Sequence, residues 1–425
     1  MIDDMYGIGP FGNLLVRETD FRPRAIGPRI ERALNVMPVV VVTGARQTGK
    51  STLVRNLPAL SQHSYISLDD LQVLADARDE PRELLQRHPR VILDEVQREP
   101  SLLLAIKQLV NEEDHRSAGR FVLTGSANLL LMEQVSESLA GRAVHLDLHP
   151  MTRRERMGQG AVGVWGDLVE QGSDGWLEDL GEREPADADW VEAASTGGYP
   201  VPSILLRSGA DRRIWFQGYV QTYLERDLQQ LSSVDRLVEF RDLMRAAAHR
   251  LGGILNQAEL GRDLGLPRTT VHRYLSLLET SCLIHRLPAY SRSRSKRLVK
   301  SPKLYWADTG LAIFLRGEAE QGQVLENLVL NDLLAWRGTC VPEPEIMYWR
   351  TSTGQEVDFV IESGDRLLAV EVKSSSRVGT ADVRHLRAFA EENADRFHAG
   401  LLLYDGDRVF RIAENVVAAP WWSVL

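Results

Sequence analysis

The sequence predicts an α/β chain: a parallel sheet carrying a phosphate-binding loop, a helical and winged-helix region, and a small α/β domain. Three stretches carry this reading. Residues 38–57, PVVVVTGARQTGKSTLVRNL, read as buried strand, glycine loop and helix. Residues 256–306 read as a helix-turn-helix followed by two strands with a basic loop between them. Residues 355–373 read as a hairpin whose strands alternate apolar with charged residues. At 425 residues the chain is too long for one core. The expected division is 1–155 for the loop-bearing domain, 156–250 for an acidic insertion and helical lid or linker, 251–318 for the winged helix, and 319–425 for the last domain.

The first stretch is the most informative. Val39 to Val42 form an uninterrupted apolar run, the pattern of a strand covered on both faces. Gly44-Ala45-Arg46-Gln47-Thr48-Gly49-Lys50-Ser51 then matches G-x-x-x-x-G-K-[ST] at every fixed position, and Thr52 continues into a helix. Glycines let the backbone wrap a triphosphate so that amide hydrogens face its oxygens. Lys50 would reach the β- and γ-phosphates, and the Ser51 hydroxyl would ligate Mg²⁺. A P-loop NTPase sheet binding ATP and Mg²⁺ is the expectation.

About forty residues on, Val91-Ile92-Leu93-Asp94-Glu95 delivers two carboxylates at a strand end. Asp94 is expected to hold Mg²⁺, directly or through water, and Glu95 to orient and deprotonate the attacking water. Phe121 to Ser126 is a further buried strand with hydroxyls at its end; Ser126 would sense the γ-phosphate, or else cap the next helix. Arg142, after Gly141, reads on spacing alone either as a surface charge or as an arginine finger at a subunit edge.

In order and spacing, the segments GARQTGKSTL, ISLDD, VILDEVQREP, FVLTGSANLLL, SLAGR and HPMTRRE resemble a prokaryotic AAA+-type ATPase family. Its members pair such a domain with a C-terminal domain of unknown function. GGYP (197–200), YLERDL (223–228), LYWADTGL (304–311) and LENLVLNDL (325–333) extend the resemblance over nearly the whole chain. The resemblance implies an ATPase in which Arg142 is a finger and Ser126 a sensor; a finger acting in trans would make the protein a homo-oligomer.

Composition sets outer bounds. Hydrophobic residues make up 44% and charged residues 26%, as in ordinary globular chains. No apolar run reaches membrane-spanning length, and no signal peptide is recognisable, so a cytoplasmic location with no membrane partner is expected. Two cysteines are too few for a disulfide framework or zinc site. The net charge of −9 argues against non-specific coating of nucleic acid. It hides local asymmetry. Residues 165–192 are strongly acidic with little hydrophobic periodicity and read as an insertion or flexible lid connection, whereas residues 291–303 are basic with no acid.

In the second stretch Asn256 to Gly265 reads as a short helix, and Pro267 opens the helix that follows. Arg268, Thr269, Thr270, His272 and Arg273 would be the exposed face of a recognition helix. Arg292, Arg294, Lys296 and Arg297 lie in the loop joining Leu283–Ala289 to Leu298–Trp306, the position of a wing that neutralises DNA phosphates. A winged helix of this kind is also used purely for packing or oligomerisation. Between Arg212 and Leu251 the pattern is helical, with Trp215, Tyr219 and Tyr223 forming a packing stripe.

In the third stretch Val357, Phe359 and Ile361 are expected on one strand face and Glu356 and Asp358 on the other. Glu371 and Lys373 share a face of the next strand. With Glu326 on a preceding helix, this is the order of residues in a PD-(D/E)xK nuclease core. Glu326, Asp358 and Glu371 would hold Mg²⁺, and Lys373 would stabilise a metal-activated water. Such folds also serve as binding modules without cleavage. The function expected is an Mg²⁺-dependent ATP hydrolase that binds DNA and couples nucleotide state to its remodelling or processing. The alternative is a regulatory ATPase acting on a protein partner.

Overall fold

The computed structural model describes residues 21–112, 117–125, 138–184, 188–231, 237–297, 300–317 and 321–425, without the side chains of 223–231 and 321. The N-terminal sheet contains β1 (Val39–Thr43), β2 (Ser64–Ser67), β3 (Val91–Asp94), β4 (Phe121–Thr124) and β5 (Ala143–Asp147). The strands are parallel in the order β2-β3-β4-β1-β5, so β4 lies between the strand leading to the glycine loop and the strand ending in Asp94. The valine run does what its composition demands. Val39 and Val41 pack with the Leu102–Glu112 helix on one face, while Val40 and Val42 meet Ile30, Leu53 and Val54 on the other. Each such burial is worth about 1.5–3 kcal/mol.

The acidic stretch is more ordered than its composition suggests. It forms helices Trp165–Gln171, Ser173–Gly181 and Trp190–Thr196. Trp165, Trp176 and Trp190 are buried in the large core shared with the C-terminal half, and the Trp165 indole donates to Asp332 Oδ1 at 2.7 Å. The acids face outward around a few large apolar anchors, which is why periodicity did not reveal the helices. Helix Gly209–Leu231 places Trp215 flat on Tyr219 (centroids 5.2 Å apart), and Tyr219 bonds Tyr199 hydroxyl to hydroxyl at 3.0 Å. The expected packing role holds for these two; the Tyr223 side chain lies outside the described residues.

Helices Gln257–Leu264 and Arg268–Thr280 follow one another across a short turn, where two helices are expected. Asn256 caps the first and Gly265, at φ 65°, ends it. Strands β6 (Ile284–Leu287) and β7 (Lys303–Trp306) pair antiparallel behind the second helix. The connection between them contains a short helix, Arg294–Arg297.

The C-terminal sheet is mixed. It comprises β8 (Glu345–Arg350), β9 (Glu356–Ser363), β10 (Arg366–Lys373), β11 (Phe397–Tyr404), β12 (Phe410–Ala413) and β13 (Val416–Pro420), ordered β12-β13-β11-β10-β9-β8. Helix Gln321–Arg337 covers one face, helix Arg384–Glu392 the other. Val357 does not share a face with Phe359 and Ile361 as alternation predicts: it packs with Val360 and Phe389 instead. The β8–β9 register shifts between Met347 and Trp349, and such an irregularity re-aims neighbouring side chains. Among the described residues, no helix is long and apolar enough to cross a membrane.

Candidate nucleotide site and the acid cluster

The glycine loop leaves β1 at Thr43. Gly44 sits at φ 147°, where a β-carbon would lie 2.4 Å from the Leu148 carbonyl oxygen, so only glycine fits. Gly49 takes φ 93° and leads into helix Lys50–Asn56. Between them, Ala45 and Thr48 are buried, Gln47 is exposed in the left-handed region (φ 59°), and the Thr48 hydroxyl donates to Ala45 O at 2.9 Å. The Lys50 ammonium is also buried and donates to Gly44 O (3.0 Å) and Ala45 O (2.8 Å). Burial lowers its pKa to about 8, against the opposing pull of Glu95. Ser51 and Thr52 follow on the helix, both partly exposed.

A residue that sequence reasoning missed braces the loop. Arg24 donates to Thr48 O (2.9 Å) and His149 O (2.5 Å) and pairs with Glu155 at 3.1 Å, both side chains 4% exposed. Its position, before any recognisable motif, carried no signal. Beside Arg24, an apolar cavity of ≈ 40 Å³ is lined by Phe21, Gly49, Leu53, Met151, Pro200 and Ile204 among others. Pro200, of the GGYP segment, lies 3.5 Å from where a β-carbon of Gly49 would be.

Asp94 and Glu95 end β3 as expected. The Asp94 carboxylate accepts from the Tyr65 and Thr124 hydroxyls. Tyr65 is pushed up to about 12 by burial and then by Asp94. Thr124 is a strand-end hydroxyl that the structure joins to the site; Ser126 lies outside the described residues. Glu95 takes a left-handed backbone (φ 58°), which turns its side chain off the strand, and accepts from Gln97 Nε2. Burial and the neighbouring Asp94 raise its pKa, while Lys50 and Arg46 pull it down. Arg142 does not join this site within its own chain. It precedes β5, beside Val39 at the opposite end of the sheet from the glycine loop, and donates to Asn111 Oδ1 (2.8 Å) and Ala140 O (2.9 Å).

The segment from helix Arg268–Thr280 to β6 packs directly on this centre. The turn after the second helix carries Cys282 at φ 56°, close enough to Lys50 and Asp147 for mutual electrostatic influence. Burial raises the Cys282 thiol to about 12. His285 of β6 meets His149 with ring centroids 5.6 Å apart. Burial and then nearby cationic or imidazole groups hold His149 down to about 4 and His285 to about 3. Below the ordinary histidine pKa the unfolded chain therefore binds protons that the folded chain refuses, and stability falls. The thermal midpoint should drop as pH falls from about 6.5 toward about 4, and His285→Phe should flatten that fall in a calorimetric pH series. A second joint lies nearby: Asp308 accepts from Gly198 N (2.5 Å) and Leu311 N (2.7 Å), binding the ADTG and GGYP segments together.

On helix Arg268–Thr280, Arg268, Thr269, His272 and Arg273 are exposed and Thr270 partly so. The wing is corrected. Arg297 is buried against the C-terminal domain, paired with Glu345 (2.6 Å) and Glu362 (2.7 Å), and so is not available to DNA. Arg292 pairs with Asp395 at 2.6 Å. Arg294 and Lys296 remain exposed.

In the C-terminal domain Glu371 and Lys373 share a face, as predicted, and pair at 2.6 Å. The metal reading of Glu326, Asp358 and Glu371 is corrected. Among the described residues, no three His, Cys, Asp or Glu side chains converge so as to hold a metal ion. Lys303 of β7 stands there instead, its ammonium 3.0 Å from Glu326, 2.6 Å from Glu356 and 3.7 Å from Asp358. The Tyr305 hydroxyl donates to Glu326, and Val372 N to Asp358 Oδ2 at 2.9 Å. Burial and the adjoining Asp358 raise the pKa of both Glu326 and Glu371. In sequence Lys303 reads as the end of a basic run; only the pairing of β6 with β7 shows that it points inward.

A parallel sheet, a glycine loop with a buried lysine, and paired acids on a nearby strand end define a P-loop protein of the ATPase type. Residues 37–157 match the AAA domain family. Residues 187–322 and 321–424 match two families described as domains of unknown function, DUF8612 and DUF4143. The chain is 31% identical over 412 residues to the uncharacterized protein Rv2008c of Mycobacterium tuberculosis, spanning 95% of this chain and 84% of that one; Mb2031c of Mycobacterium bovis matches equally. The chain belongs to the family of these mycobacterial proteins. An uncharacterized protein of Haemophilus influenzae is 23% identical over 358 residues, 79% of this chain and 82% of its own. Among solved structures, a Walker-type ATPase of Pyrococcus abyssi aligns with 71% of this chain and 97% of its own, at 15% identity and a TM-score of 0.43.

Proposed function

We propose that the chain is an Mg²⁺-dependent ATP hydrolase whose nucleotide state is passed to a DNA-binding winged helix. The observation carrying this is the buried Lys50 ammonium at the foot of the glycine loop, with Asp94 and Glu95 at a strand end of the same sheet. Ser51 and Asp94 supply the hydroxyl and carboxylate oxygens that Mg²⁺ prefers, and the bound ion would neutralise phosphate charge. Glu95, with its raised pKa, would take the proton of the attacking water. Arg142, remote from its own site, would serve the site of a second copy in a homo-oligomer. Steady-state ATP turnover, with and without a panel of linear and branched DNA, tests the reading; no turnover under any of these conditions would refute it.

DNA contact rests on the exposed face of helix Arg268–Thr280 and on Arg294 and Lys296. Replacing Arg268 and Arg273 with alanine should weaken binding uniformly across sequences and reduce the salt slope by about 2. Gel shifts over a salt series read this directly. The second reading, a regulatory ATPase acting on a protein partner, is favoured by the burial of Arg297 within the molecule and the pairing of Arg292 with Asp395 on its surface. It predicts no salt-sensitive DNA binding at all. In both readings the C-terminal domain acts as a binding module rather than a nuclease.

A further inference from the structure

We infer that Lys303 is the resident cation of the C-terminal acid cluster, filling the place a divalent metal would take and fastening the winged helix to that domain. This role holds whether or not the N-terminal half binds nucleotide. Four carboxylates, those of Glu326, Glu356, Asp358 and Glu371, are supplied by one helix and two adjacent strands of the C-terminal domain. The positive charge that reaches deepest among them comes from elsewhere, from β7, two residues before the buried Tyr305 that donates to Glu326.

Lys303 is 2% exposed, and its ammonium lies within ion-pair distance of three of the four acids. An ammonium has three hydrogens to offer, and three carboxylates face it. A divalent ion needs the same oxygens at about 2.0–2.6 Å. Seating it beside an ammonium held by those oxygens would press like charges together in a medium that screens them poorly. The two cations therefore exclude one another. The fourth acid shows what the lysine leaves undone: Glu371 is 4% exposed and bonds Lys373 through Oε1, while its Oε2 is buried without a hydrogen-bond partner. That oxygen and Asp358 are what a metal would engage if Lys303 were withdrawn.

The consequence is structural as well as chemical. Pairing with β6 sets Lys303 opposite Leu287 in a two-stranded sheet whose other end reaches His149 through His285. One small sheet thus touches both the nucleotide centre and the acid cluster. Pulling it away would cost the cluster its counter-charge, so the cluster acts as a latch with a closed cation site beneath it.

The test uses the full chain without nucleotide, titrated with Mn²⁺ alone and followed by calorimetry and by thermal midpoint. Wild type should show no Asp358-dependent Mn²⁺ binding up to about 1 mM. Lys303→Met should bind one Mn²⁺ per chain, at least about tenfold more tightly than wild type, and its thermal midpoint should rise with Mn²⁺. Adding Asp358→Asn to that variant should abolish both effects. Lys303→Gln, which keeps hydrogen-bond donors, provides a second folded background if the methionine variant is unfolded without metal; recovery of the methionine variant's circular dichroism on adding Mn²⁺ would then report the same binding. Asp358-dependent Mn²⁺ binding by wild type overturns the inference. So does a folded Lys303→Met or Lys303→Gln chain that binds no Mn²⁺.

Discussion

Lys50→Ala is expected to lose nucleotide binding while leaving the fold intact. The ammonium would make two charge-assisted hydrogen bonds to phosphate oxygens at about 1.5–3 kcal/mol each. Their loss corresponds to a weakening of roughly 10²- to 10⁴-fold. The effect on stability is of a different kind. Lys50 is buried with its pKa lowered to about 8, which means the folded chain bears a desolvation cost at neutral pH. Removing it relieves that cost but leaves Gly44 O and Ala45 O without their donor. These terms oppose each other, so the thermal midpoint should move little. Fluorescent-nucleotide titration beside calorimetric unfolding separates the two outcomes. A variant that unfolds would point to a structural role; one that folds and binds normally would remove the phosphate role.

Glu95→Gln is expected to bind ATP as wild type does and to lose turnover by about 10²- to 10⁴-fold, the range of a positioned general base. The substitution is nearly isosteric and suits the left-handed backbone at this position as well as glutamate does. The amide oxygen can still accept from Gln97. What disappears is the capacity to take a proton. Because burial raises the Glu95 pKa and the carboxylate is the active form, wild-type turnover should climb as pH rises through that raised value. The residual activity of Glu95→Gln should lack this limb. Unchanged turnover would place the base elsewhere.

The parts of this arrangement that were legible in sequence are those governed by local chemistry. The glycine loop is readable because its spacing is dictated by a triphosphate, and the valine run because a strand covered on both faces must be apolar throughout. Helix Arg268–Thr280 is readable because Pro267 and Gly265 mark its boundary, and its polar residues do face outward. What escaped reading depends on distant partners. Lys303 looks solvated until β7 is placed beside the Glu326 helix. Trp165, Trp176 and Trp190 look scattered until the core shared with the C-terminal half is assembled. Strict alternation puts Val357 beside Phe359 and Ile361, which the shifted β8–β9 register breaks, while Glu356 and Asp358 do reach the same ammonium. The insertion of β4 between β1 and β3, which brings Thr124 to Asp94, has no local signature at all.

The central claim is that a nucleoside triphosphate binds in the N-terminal half, held by the glycine loop and Lys50. Calorimetric titration of the full chain with a non-hydrolysable ATP analogue and Mg²⁺ tests it most directly. The account predicts one site per chain, retained in Glu95→Gln and lost in Lys50→Ala. Absence of binding to wild type, or equal binding by Lys50→Ala, would contradict it.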